Sequence, residues 1–179
     1  IHEIYGTISE KSLEIGSCIF NPEDDPFLFV SAVKTDLEWH PEKVKDIVYD
    51  VMTHLNVDMR RLYLTGISIG GRAVIDIANM YPHLFAAVMP VSIHHLPRPY
   101  AKLARHFPIL PIMIIHNSND VVADYQEAME FMSILRNRGI NIIHKDYNLE
   151  HEGWDVYFSD ENNIRWLLGH TAIGAESFA

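Results

Sequence analysis

The sequence predicts an α/β protein built on a mostly parallel sheet, and three observations carry that reading. From about residue 27 onward, short apolar runs alternate with segments of helical periodicity, the pattern of successive βαβ units. The stretch YLTGISIGGRAVIDIANMYP (residues 63–82) passes from a strand-like run through a glycine-flanked serine straight into a helical pattern. Glycines at 139 and 169 close two further helical segments, as C-terminal caps do. With 179 residues, 48% of them hydrophobic, the chain is long enough to bury one real core.

Taken in order, residues 1–26 fit this scheme poorly: the patterning is mixed and NPEDDP is turn-like, compatible with a strand, a loop or a docking arm. FLFVSAV (27–33) reads as a buried strand. From Pro41 to Leu55, Val44, Ile47, Val48, Val51, Met52 and Leu55 fall at helical spacing, with the proline at a favourable first-turn position. RLYLTG (61–66) is the next strand, and a helix starts at or just after Ser68. AAVMPVS (86–92) and LPIMIIH (110–116) read as central strands; residues 94–108 between them, with prolines at 97, 99 and 108, read as loop. A helix over about 123–138 and the strand NIIHKDY (141–147) follow, then a last helix over about 161–168. Nothing repeats and no low-complexity linker interrupts the chain, so residues 1–179 are expected to form one domain, atypical over 1–26.

A formal charge of −10 argues against phosphate backbones and anionic lipid surfaces as partners, because no Lys/Arg-rich run offsets it locally. The single cysteine, Cys18, allows no intrachain disulfide. No apolar run approaches the ~20 residues that span a bilayer, and the N-terminus lacks a signal-peptide pattern. A soluble protein is expected, with its compartment open. The chain starts at Ile1 rather than Met, which reads as a processed chain or a fragment.

Gly-Ile-Ser-Ile-Gly (66–70) matches G-x-S-x-G, and a strand before it and a helix after it are the context of a nucleophile turn. The competing reading is a plain glycine turn with Ser68 as N-cap. A serine hydroxyl near its free pKa is a poor nucleophile and needs a base, which in turn needs an orienting carboxylate. Asp120, in HNSND after one strand, and His151, in NLEHEGW after the next, supply both in the order Ser, Asp, His. Each would lie at a carboxyl end of the sheet, where open α/β sheets bind ligands. Asp124 competes with Asp120 for the acid role. His94 and His95, after AAVMPVS, would reach the same edge and could touch substrate; His116 is expected to tie down the Asp120 loop. A zinc site from His94, His95, His116 and His151 lacks any metal-ligand spacing such as HExxH, so no metal is expected.

From about residue 27 to 168 the chain resembles the α/β-hydrolase superfamily, in the bacterial esterase branch that includes polyhydroxybutyrate-depolymerase-like, feruloyl-esterase-like and dienelactone-hydrolase-like proteins. The residues that carry this are VDMRRLYLTGISIGGRAVIDIANMYPHLFAAVMPVS, PIMIIHNSNDVV and YNLEHEGWDVYF. The resemblance implies a three-layer α/β/α hydrolase-type sheet, apparently truncated on its N-terminal side. It also implies Ser68 as nucleophile, Asp120 as acid, His151 as base and the Ile69 N–H as an oxyanion donor; His94, His95 and Trp154 are separately expected as substrate-binding residues. The substrates it suggests are small-molecule or carbohydrate-linked carboxylic esters, with no metal or organic cofactor. Two departures stand out. Asn117 replaces the glycine usual after His116, and no HGxG-type turn precedes residue 27 to supply a second oxyanion donor. Loss of one such donor costs roughly 3 kcal/mol of transition-state stabilisation. The expected activity is therefore a serine esterase. Its alternatives are a weak or silent hydrolase-like scaffold, completed by a partner chain or a second copy at an exposed sheet edge, and a peptidase or thioesterase on the same three residues.

Overall fold

The computed structural model describes residues 14–15, 18–19, 28–32, 38–94 and 100–172. Two short antiparallel strands, β1 (Glu14–Ile15) and β2 (Cys18–Ile19), precede helix α1 (Pro41–His54). The main body is a four-stranded parallel sheet of β3 (Tyr63–Ile67), β4 (Ala87–Val91), β5 (Ile112–Ile115) and β6 (Ile142–Lys145), in that spatial order. Helices α2 (Ile69–Met80), α3 (Tyr100–His106) and α4 (Tyr125–Asn137) make the crossovers, and α5 (Trp154–Ser159) and α6 (Glu161–Leu168) follow β6.

Strand order equal to chain order has a direct consequence. Crossovers of a single hand, stepping always the same way, put every connecting helix on one face. Val74, Ile75 and Ala78 of α2, Ala104 of α3 and Phe131 and Leu135 of α4 pack there against Val88, Ile112 and Ile114. The alternate strand residues Ala87, Met89, Val91, Met113 and Ile115 turn to the other face, where Tyr157 of α5 and Ile164 and Leu167 of α6 cover them. The result is the three-layer α/β/α architecture expected from the sequence, with all of β4 and β5 buried.

The expected strand over 27–33 is not found among its described residues, 28–32, which hold only an isolated bridge residue at Ala32. Leu28 and Phe29 are exposed rather than buried. An apolar run becomes a strand only where a ladder and a packing face receive it. Helix α3 goes beyond the loop reading of residues 94–108, and α5 lies in a stretch, 154–159, for which the sequence predicted no element. The first is a short helix beyond Pro97 and Pro99; the second starts from Gly153, which offers no side-chain cap.

The last two helices are pinned to β6 by one carboxylate. Asp160 caps α6 at the Asn162 N–H (3.0 Å) and receives Tyr147 Oη (2.5 Å) and Lys145 Nζ (3.1 Å). The Tyr147 hydroxyl, with Lys145 behind it, holds the Asp160 carboxyl down at about 2 against the opposing effect of burial. A carboxylate lowered in the folded state stabilises the fold above about pH 4 and loses that contribution as pH falls towards 2. Asp160→Ala is therefore expected to cost about 1–2 kcal/mol at neutral pH, and to flatten the fall of melting temperature below pH 4. Thermal scans of both proteins across that range check it.

The β3–α2 turn is the other fixed point. Ser68 sits at φ 58°, ψ −115°, a conformation costly for any residue with a Cβ. Its N–H donates to Val91 O (2.9 Å), and its carbonyl accepts from Arg72 N (3.1 Å) and His94 N (3.2 Å), so strand, helix and next loop all hold it there. A Cβ on Gly66 would meet Gly70 O at 2.5 Å, and one on Gly71 would run into Val91 O. Gly70 has open room, its nearest neighbour being Trp39 Nε1 at 4.0 Å. The close approach thus rests on Gly66 and Gly71, not on the second glycine of the pentapeptide. Gly71→Ala is expected to cost about 1–3 kcal/mol, and Gly70→Ala to be neutral or slightly stabilising in its helix. Urea melts of the two variants check this, and equal losses would contradict it.

Candidate active site

Three loops at the carboxyl ends of β3, β5 and β6 bring the expected residues together. Ser68 follows β3 directly. Asp120 lies in the turn after β5, where its Oδ1 accepts from Val122 N (2.9 Å) and Ala123 N (2.8 Å). His151 lies in the loop after β6, with Nδ1 2.8 Å from Asp120 Oδ2 and Nε2 3.0 Å from Ser68 Oγ. An ionised carboxylate only accepts, so the Nδ1 proton belongs on the Asp120 side. Nε2 is then left as the acceptor for the serine hydroxyl.

The Asp120 side chain is fully buried and that of His151 is 17% exposed, so both partners sit out of bulk water with an opening on the imidazole side. Burial by itself would raise the Asp120 pKa, but the His151 hydrogen bond and the Ala123 and Val122 N–H groups outweigh it. The carboxyl is held below its ordinary value and remains an anion beside the imidazole. Asp124, the other acid considered, is instead the exposed N-cap of α4, accepting from Gln126 N (2.8 Å) and Glu127 N (3.3 Å). It faces the helix rather than His151.

His116 is buried and donates Nε2–H to Ala123 O at 3.0 Å. It does tie down the Asp120 turn, and desolvation lowers its pKa, keeping it neutral. Ile69 is the first residue of α2, where helix N–H groups have no intrahelical acceptor. The His94 and Trp154 rings flank His151, with centroids 6.0 Å and 5.9 Å from it. His95 lies outside the described residues. Among the described residues no three His, Cys, Asp or Glu side chains are placed to hold a metal ion, and no helix is long and apolar enough to cross a membrane.

Two residues at the site had no sequence signal for their part in it. Asn117, fully buried, accepts from Tyr147 N at 2.9 Å, donates to Glu150 O at 3.1 Å and donates to the Tyr157 hydroxyl. Tyr157, equally buried, donates to Glu152 O at 2.9 Å. Asn117 was noticeable only as a departure from glycine. Tyr157 stands in the stretch YNLEHEGWDVYF, where nothing local marks its hydroxyl for this part.

No protein-family model matches the sequence. The chain is 28% identical, over 103 residues covering 58% of its length, to a bifunctional acetylxylan esterase/xylanase of Neocallimastix patriciarum, spanning 14% of that protein. It superposes on a thermostable esterase with a TM-score of 0.65 at 22% identity, covering 73% of this chain and 36% of that one. On the S-formylglutathione hydrolase of Staphylococcus aureus the TM-score is 0.57 at 19% identity, covering 71% and 59% of the two chains. The chain thus spans less than two thirds of each of these proteins, from 14% to 59%, and what they share with it is architecture. On that likeness, together with the sheet order and the β3–α2 turn, the chain has the α/β-hydrolase fold.

Proposed function

We propose that the protein is a serine hydrolase of carboxylic esters, acting through an acyl-enzyme. The observation that carries this is the unbroken line Ser68 Oγ, His151 Nε2, His151 Nδ1, Asp120 Oδ2, with links of 3.0 Å and 2.8 Å. Ser68 Oγ attacks the ester carbonyl while His151 Nε2 takes its proton; Asp120 holds the ring and balances the imidazolium. The oxyanion develops at the N-terminus of α2, where the Ile69 N–H and the helix dipole oppose its charge. His151 returns the proton to the leaving alcohol, and water then repeats the sequence on the acyl-serine. These steps need no metal or organic cofactor.

The acetylxylan esterase relative supports a small-molecule or carbohydrate-linked ester as substrate, and the −10 charge favours neither nucleic acid nor an anionic membrane. A fluorophosphonate probe tests the nucleophile. Folded protein is expected to label stoichiometrically, Ser68→Ala not at all, and Asp120→Asn roughly 10³- to 10⁴-fold more slowly because the imidazole loses its tautomer. Folded wild-type protein that stays unlabelled would overturn the proposal.

One observation favours a second reading. β3 is the edge of the described sheet, and all five of its residues stay partly exposed while every residue of β4 is buried. Such an edge invites another strand, so the alternative is a hydrolase-like scaffold completed by a partner chain or a second copy. Sedimentation velocity across a concentration series separates the two. A reversible dimer whose Ser68 labelling rises with concentration supports the scaffold, and a monomer labelled at constant rate removes it.

A further inference from the structure

The histidine loop has little regular structure of its own to hold it. Between β6 and α5 it contains two left-handed residues, Asn148 at φ 57° and Gly153 at φ 83°, and His151 lies between them. What fixes this loop comes from elsewhere. Asn117 Nδ2 donates to Glu150 O, one residue before His151, and Tyr157 Oη donates to Glu152 O, one residue after it. A bond from Asn117 Nδ2 to Tyr157 Oη joins the two anchors into one directed chain. The partners also determine the amide's orientation. A flipped Asn117 would set its oxygen against Glu150 O and its NH₂ against the Tyr147 N–H, which is a donor bonded at 2.9 Å to the present Oδ1.

Resting on the hydrolase reading above, we propose that Asn117 and Tyr157 are positioning residues that clamp both sides of His151 and thereby set the reach of its Nε2 to Ser68. Neither touches a reacting atom. Both are fully buried, where an unbroken chain of hydrogen bonds is stiff and a broken one leaves carbonyls without partners. Asn117 sits two residues beyond β5, on the same turn as Asp120, so one turn supplies the acid through Asp120 and the suspension of the base through Asn117. A glycine at position 117 would supply the turn without the suspension.

The test uses Tyr157→Phe, which keeps the ring and removes only the hydroxyl, and Asn117→Gly. It measures the fluorophosphonate labelling rate, kcat and KM on a p-nitrophenyl ester, and the far-downfield proton resonance of His151 Nδ1–H, identified by its loss in His151→Gln. In both variants the labelling rate and kcat are expected to fall roughly tenfold to a hundredfold with KM within about twofold, and the downfield resonance to broaden or vanish. The double variant is expected to be no slower than the slower single one, since the two bonds act as a unit. If Asn117→Gly fails to fold, Tyr157→Phe alone decides. Folded Tyr157→Phe with an unchanged resonance and labelling rate would reduce the pair to ordinary packing and overturn the clamp. If wild-type protein is not labelled, the hydrolase reading falls and the resonance alone judges the clamp: its loss in Tyr157→Phe sustains it, its persistence overturns it.

Discussion

The site depends on how the two oxygens of one buried carboxylate are divided. Asp120 commits Oδ1 to the Val122 and Ala123 N–H groups of its own turn and Oδ2 to His151 Nδ1. A carboxylate taken out of water is tolerated only when its lone pairs are met, so this charge enforces order on both loops that reach it. The intraturn bonds hold the carboxylate independently of the imidazole. The remaining oxygen then selects the histidine tautomer and points Nε2 at Ser68. His116, braced on Ala123 O from behind, keeps the turn from opening.

The sheet makes this meeting possible, because parallel strands end on the same edge. Ser68, Asp120 and His151 each lie just past the carboxyl end of a strand, so side chains separated by 31 and 83 positions in sequence are brought within hydrogen-bond reach. The backbone strain at Ser68 has the same origin. The chain must turn from strand to helix within one residue, and Gly66 and Gly71 admit the neighbouring backbone that makes this turn possible. Strain of this kind persists only where the surroundings over-determine it, as the Val91, Arg72 and His94 bonds do here.

How much of this was readable beforehand follows from the range of the interactions involved. The strands around Val88 and Ile114 were legible because burial on both faces leaves continuous apolar runs, those around Leu64 and Ile142, only partly buried, because short apolar runs stand there between helical segments, and α1 and α4 because their apolar residues recur at helical spacing. Ser68, Asp120 and His151 were legible from chemistry combined with position after a strand. Asn117 and Tyr157 were not, since their part is defined by partners 40 positions apart, and nothing local encodes a buried amide bonded to a distant hydroxyl. The role of Gly71, outside the pentapeptide, likewise depends on where Val91 O lies. FLFVSAV carried the composition of a strand, but among its described residues, 28–32, only Ala32 finds a bridge partner.

The central claim is that Ser68 becomes covalently acylated during turnover. The most direct measurement is acid-quenched intact-mass spectrometry of the protein during steady-state hydrolysis of p-nitrophenyl acetate, followed by peptide mapping. One added acetyl group on the peptide bearing Ser68, accumulating in wild type and absent from Ser68→Ala, is the predicted result. Sustained ester hydrolysis by the Ser68→Ala protein, or an acetyl group mapped to another residue and turned over at the catalytic rate, would contradict the account.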